Sequence, residues 1–202
     1  VLEEISRINP DIIAVTGDLI DGSVDHLRKD LEPFIDLVAP YGTYFVTGNH
    51  EYYSGVDQWL EETDRLGMTN LINSNTIITK STSDIILAGV TDYRAHQIKK
   101  SHNSSPELAL KNIPKDKTKI LLAHQPNSIY DVNKAGADLQ LSGHTHGGQF
   151  WPFTYPTKLA NAYLSGLHDH NGTQIYVNSG TGYWGPPLRL GVPAEITLIR
   201  LK

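Results

Sequence analysis

The chain has 202 residues, with 17 Lys and Arg against 22 Asp and Glu, a formal net charge of −5. At 39% hydrophobic and 19% charged residues it is long and apolar enough for one domain with a sizeable core, which excludes a disordered chain. The negative balance supplies no basic field for nucleic acid, the lack of cysteine excludes disulfides, thiolate ligands and a cysteine nucleophile, and no apolar run of about 18 residues is present to cross a membrane as a helix.

Leu2, Ile5 and Ile8 share one helical face, and Asn9-Pro10 ends that helix. The chain opens inside this helix without an initiator Met, which reads as a single domain, residues 1–202, truncated on its N-terminal side. Residues 12–15 form a β-branched run that reads as a buried strand leading into Thr16-Gly17-Asp18. Val24, Leu27, Leu31, Phe34, Ile35 and Val38 lie at helical spacing, with Pro33 either kinking that helix or starting a new one. Residues 43–46 predict a strand that runs straight into Thr47-Gly48-Asn49-His50, and 56–66 a helix stopped by Gly67. Residues 76–79 and 85–90 flank a polar turn and predict a loose hairpin. Residues 96–105 read as a polar loop, 106–112 as a helix, and 119–123 as a strand delivering His124. A helix over 128–135 stops at Gly136, and a strand over 139–141 delivers Gly143 to His146. Residues 150–166 read as irregular and aromatic, and 174–177 and 194–201 as closing strands. Strands alternating with helices, then strand-rich sequence, predict an α/β (α+β) fold with sheets packed inside helical layers.

Asp18, Asn49, His124, His144 and His146 each follow a strand-like run, at the strand ends where open α/β folds build their sites. Gly17, Gly48 and Gly143 each stand one residue ahead of such a group, where the backbone must turn sharply or come close to a ligand. Carboxylate, amide and imidazole suit borderline and harder divalent ions, and without sulfur they do not suit copper(I) or iron–sulfur clusters. His144 and His146, two apart, would point the same way in an extended segment. Ligands gathered on several strand ends make a site for two metal ions, whose chemistry is phosphoester hydrolysis. Singly, each has a plainer reading: Asp18 a turn residue, His124 and His50 satisfied core histidines. The ordered set outweighs these. Asp21 reads as a loop residue or a support behind the ligands, Asp92 as a strand-end residue more than a neighbour of the site, while Arg189 stands open between substrate contact and structural pairing. His26, His96 and His102 read as solvated, and His168 and His170 as part of a polar turn. Trp151, Tyr183 and Trp184 read as packing rather than a base-stacking platform.

In this order Gly17-Asp18-Leu19-Ile20-Asp21, Gly48-Asn49-His50-Glu51, His124 and Gly143-His144-Thr145-His146 resemble the calcineurin-like metallophosphoesterases over nearly the whole chain. The runs 141–149 and 180–189 are similar to a bacterial subgroup often attached to the membrane by an N-terminal segment. The resemblance implies a four-layer αββα sandwich with two mixed β-sheets flanked by helices. It also implies two divalent ions (manganese, zinc, iron or nickel), with Asp18 bridging them, Asn49, His124 and His144 completing one site, and His146 binding the other. His50 and Asp18 would be the catalytic residues, His50 beside the phosphate as acid or transition-state stabiliser while a metal-activated hydroxide attacks phosphorus in line. Asp21 or Glu51 would orient a histidine from behind, and Arg189, with His50, would contact the substrate phosphate. The family's first motif, Asp-x-His, has no match in this chain. That departure predicts tighter metal binding at the Asn49 site than at the His146 site, weak hydrolysis, and a sheet edge that a neighbouring copy would complete.

The expected substrate is a phosphorylated small molecule or a lipid-linked one. A pyrophosphatase acting on UDP-diacylglucosamine is the runner-up, with the aromatic stretch 150–163 meeting an acyl chain or a bilayer. Membrane or cell-envelope placement of a full-length bacterial protein follows from the subgroup. The reading of another class is a scaffold that kept the fold and lost the chemistry.

Overall fold

The computed structural model describes residues 1–114 and 116–201. Its elements run α1 (Leu2–Ile8), β1 (Ile13–Val15), α2 (Val24–Leu31), β2 (Thr43–Phe45), α3 (Asn49–Tyr53), α4 (Val56–Arg65), β3 (Thr69–Asn70), β4 (Ser74–Lys80) and β5 (Ser83–Gly89). They continue with α5 (Pro106–Ala109), β6 (Thr118–Leu122), α6 (Ile129–Ala135), β7 (Leu139–Ser142), α7 (Thr154–Ala160), β8 (Gly166–His170) and β9 (Thr173–Val177). The smaller sheet has the order β1-β2-β3 and the larger β4-β5-β6-β7-β9-β8. Only the larger sheet is mixed: antiparallel hairpins β4–β5 and β8–β9 flank a parallel centre, whereas the smaller sheet is wholly parallel.

Strand alternation sorts the side chains into layers. Tyr44 and Val46 of the small sheet face Ile78, Leu87, Ile120 and Leu122 of the large one, and this is the inter-sheet core. Phe45, between Tyr44 and Val46 in sequence, and Ile13 on β1 belong to the other core, with Val24 and Leu31 of α2 and Trp59 of α4. On the far side, Ala88, Leu121 and Ala123 pack against Ala109 and Val132 of α5 and α6. Helix, sheet, sheet, helix is the resulting order, as expected.

Several expectations are corrected. Helix α2 ends at Leu31, and a 3₁₀ turn over Glu32–Asp36 takes Pro33 at its start, so the proline neither kinks nor opens an α-helix. The hairpin is tight, since Lys80 pairs directly with Ser83. Residues 154–160, expected to be irregular, form α7, with Pro156 in the first turn where a missing N–H costs nothing. His168 and His170 lie on strand β8, not in a turn. The predicted strand over 194–201 does not form among the described residues. Strand β9 is already paired on both sides, and this segment is held by isolated bonds instead of a ladder: the Glu195 N–H donates to the Gly180 carbonyl at 2.9 Å, and its carboxylate accepts from Tyr176 Oη and from the Ser179 N–H.

Candidate metal centre

Both sheets contribute ligand groups from the carboxyl ends of their strands. Asp18 follows β1, Asn49 opens α3 after β2, His124 follows β6, and His144 and His146 follow β7. The two halves meet closely. A Cβ at Gly48 would lie 2.2 Å from Asp18 Oδ1, and one at Gly17 would lie 2.4 Å from the Gly48 nitrogen, so only glycine admits this approach. Asp18, His144 and His146 have φ of 53°, 68° and 50°. This is left-handed backbone that Asp and His tolerate better than most residues. The two histidines therefore reach the site from successive left-handed turns, not from the alternation of an extended segment.

Asp18, His124 and His144 each place one ligand atom within 4.8 Å of the others. Asp18 Oδ2 lies 3.0 Å from His124 Nε2, and His144 Nδ1 lies 3.1 Å from the same nitrogen. His124 is 1% exposed, and its Nδ1 stands 2.7 Å from the Thr16 carbonyl, which fixes Nδ1 as the protonated nitrogen and turns Nε2 into the site. Asn49 Oδ1 is buried with no hydrogen-bond partner among the described residues. A buried acceptor without a donor is costly unless something positive meets it. The donor set, its spacing and this orphaned oxygen all fit a divalent cation.

Electrostatics agree. Burial opposes charge on Asp18, but His124 beside it and the His50 N–H at 2.9 Å hold its carboxyl well below the usual range. Burial likewise opposes charge on His124, yet Asp18 pushes it up to about 9. Burial and the neighbouring His124 bring His144 down to about 3, and burial with Arg189 brings His146 down to about 4.

Around the centre, His50 Nδ1 lies 3.0 Å from Asp21 Oδ1, so Asp21 meets a histidine ring. Glu51 does not. Its carboxylate, 1% exposed, accepts the backbone N–H groups of Asp18, Leu19 and Gly48 at 3.0, 2.8 and 2.6 Å and so locks together the turns that carry Asp18 and Asn49. Burial and the Asp18 charge push this carboxyl up to about 7 against those three donors. The Arg189 guanidinium donates to the carbonyls of Ser179, Gly182 and Pro193 and stands 3.3 Å from His146 Nδ1. It braces its own loop behind His146, which is the structural side of the open reading. Asp92 is buried and accepts from Gln125 Nε2 at 2.8 Å, directly behind His124. His102 bonds Tyr52 Oη at 2.9 Å, and His168 stacks on Tyr163 at 4.6 Å, so neither joins the ligand set. The Thr16 carbonyl was not foreseen, and no sequence signal marks a backbone acceptor.

Histidine, asparagine and carboxylate converging at the strand ends of this sandwich make a donor set suited to a divalent cation. The chain belongs to the calcineurin-like phosphoesterase family, whose profile matches residues 1–148. A metallophosphoesterase of Helicobacter pylori is 43% identical over 205 residues, covering 100% of this chain and 54% of its own length. A Danio rerio protein named as a transmembrane protein with metallophosphoesterase domain is 37% identical, covering 100% of this chain and 48% of its own. The chain thus spans about half the length of these curated relatives. Among solved structures, a 5′-nucleotidase precursor from Thermus thermophilus superimposes with a TM-score of 0.57 at 12% identity, over 89% of this chain and 41% of that one, a likeness of fold.

Proposed function

We propose that this chain carries the hydrolytic centre of a metal-dependent phosphoesterase. Asp18, Asn49, His124 and His144 hold one divalent ion, and Asp18 and His146 contribute to a second. The observation that carries this reading is the convergence of Asp18, His124 and His144 beside the orphaned Asn49 oxygen. When bound, the ions supply the positive charge that activates water and steadies the phosphoryl oxygens. The chain's own residues do the rest. Asp21 fixes His50 through Nδ1, leaving Nε2 free to give a proton to the departing oxygen. Glu51 keeps Asp18 and Asn49 in register.

The test is to strip the protein with chelator, restore manganese or zinc, and follow p-nitrophenyl phosphate hydrolysis together with bound metal. His124→Ala is expected to lose the ion and at least about 100-fold in kcat/KM. His50→Ala is expected to keep the ion and lose about 100-fold or more in kcat. Full metal content in His124→Ala would overturn the ligand assignment. No hydrolysis by the metal-replete parent would favour the scaffold reading.

A second reading is a lipid-linked phosphoanhydride as substrate, with association at a membrane. An exposed apolar surface motivates it, in which Trp151 and Leu159 are 71% and 89% exposed and the Phe150, Phe153 and Trp184 rings touch in series. It adjoins the centre, since Gln149 bonds Trp184 and follows the His146 turn. No helix among the described residues is long and apolar enough to cross a membrane.

A further inference from the structure

Strand order puts the loop after β5 beside the ligand loops that follow β6 and β7, with the loop after β9 on their other side. The surface of the β5 loop is polar, with Arg94 and Gln97 exposed. Its first residues turn inward. The Val90 N–H donates to the Leu122 carbonyl at 3.1 Å, which extends the β5–β6 ladder toward the turn that carries His124. Thr91 Oγ1 donates to the His102 carbonyl at 2.9 Å. Asp92 follows and is 1% exposed.

Asp92 reaches both ligand-bearing turns. Its N–H donates to Thr47 Oγ1 at 3.3 Å, and Thr47 leads into Gly48-Asn49 at the end of the small sheet. Its Oδ2 accepts from Gln125 Nε2 at 2.8 Å, and Gln125 follows His124 at the end of the large sheet. Its Oδ1 accepts the Arg94 N–H at 2.9 Å, which closes the turn. Both donors to the carboxylate are neutral amides. Glu62, equally buried, is met by Arg28 and Arg65, whereas no basic side chain among the described residues pairs with Asp92. A buried carboxylate without a counter-charge is costly. An uncharged amide in its place would keep both bonds once the Gln125 amide turned over, so hydrogen bonding alone does not account for the charge. The cation that this charge can serve is one at the metal centre, since its field already reaches the buried His124 ring.

We propose that Asp92 is a positioning residue for the bound ion: it fastens the Asn49 and His124 turns to each other, and its charge, set behind the ligands, strengthens their hold on the cation. In a buried setting such a field is weakened little by solvent or salt. Residues behind a ligand shell act on metal affinity through the ligands that they orient. The proposal rests on the phosphoesterase reading above only for the presence of the ion.

The experiment is a calorimetric titration of metal-stripped protein with manganese, beside urea unfolding of the same metal-free samples. Asp92→Asn is expected to bind manganese about tenfold more weakly while its urea midpoint stays at the parent's. Asp92→Ala, which loses the bonds as well, is expected to bind about 100-fold more weakly and to unfold at lower urea. Asp92→Glu keeps the charge and is expected to bind more tightly than Asp92→Asn. Binding by Asp92→Asn within twofold of the parent overturns the role, and so does weaker binding that comes with a lower midpoint, since a merely structural residue would move both. A parent that takes up no manganese overturns the centre and this role together. Weaker binding by Asp92→Asn, at an unchanged midpoint, in a protein that does not hydrolyse p-nitrophenyl phosphate keeps the role and overturns only the catalytic reading.

Discussion

A histidine ligates metal only as the neutral ring, and the three histidines here start from different places. His144 and His146, brought down to about 3 and about 4 by burial, are neutral at physiological pH and ready to bind. The stability they contribute is present above about pH 6.5 and is lost as pH falls toward those values. His124, pushed up to about 9 because Asp18 outweighs its burial, holds a proton that an incoming cation must displace. Its folded value is raised. The stability from the Asp18–His124 pair in metal-free protein is therefore present below about pH 6.5 and lost as pH rises through about 9. At pH 7 uptake of one divalent ion is expected to release about one proton, and at pH 10 almost none. Calorimetry in two buffers of different ionisation enthalpy reads this number directly. Uptake at pH 7 with no proton released would mean that His124 is not displaced from Asp18.

At the scale of elements, α4 positions the Asp18 loop as much as it fills a core. Trp59 Nε1 donates to the Gly22 carbonyl at 3.0 Å, and Glu62, 1% exposed, accepts from Arg65 at 2.7 and 3.0 Å while meeting Arg28 of α2 at 3.1 Å. Glu62→Ala leaves two arginines without their shared acceptor. Because both are partly exposed, the expected loss is about 1–3 kcal/mol, read from the denaturant midpoint. A midpoint equal to the parent's would show that the clasp is ornamental to stability. The strands that carry the candidate ligands were legible as short runs with apolar residues, β-branched and ending at a glycine in residues 12–17, closed by Gly143 in 139–143, and leading straight into His124 in 119–123. Strand β3, two residues long, and α3, which begins on the ligand Asn49 itself, carry too little periodicity to read. Helix α7 was hidden by prolines and aromatics, and residues 194–201 mimicked a strand because alternation reports a face, not whether a pairing edge is free. In the site, the ligand types were visible from motif order. The bracing of Arg189 against its own loop and the role of Glu51 depend on distant backbone groups that local sequence does not encode.

Across the whole molecule, polar and apolar surfaces are segregated about the centre. Trp151, Phe153, Tyr155, Leu159, Tyr183 and Trp184 are all exposed, a cluster larger than scattered surface apolars require. With a net charge of −5 the apolar term must dominate, so neutral phosphatidylcholine vesicles are the appropriate probe. The double variant Trp151→Ser with Trp184→Ser is expected to reduce sedimentation with such vesicles about tenfold, and equal sedimentation would remove the membrane reading. The division of ligands between two sheets has a mechanical consequence of its own. Asp18 and Asn49 hang from the small sheet and the histidines from the large one. On the proposed ligand set, an ion held by Asp18, Asn49, His124 and His144 would be a cross-link between the halves of the sandwich. In a chain with no cysteine it takes the place of a disulfide, closing the long loop of sequence between residues 18 and 144. Under that proposal, loss of the ion would remove the cross-link at the face where substrate would enter while the inter-sheet core stays packed, so local order there and the chemistry would be governed by the same cation.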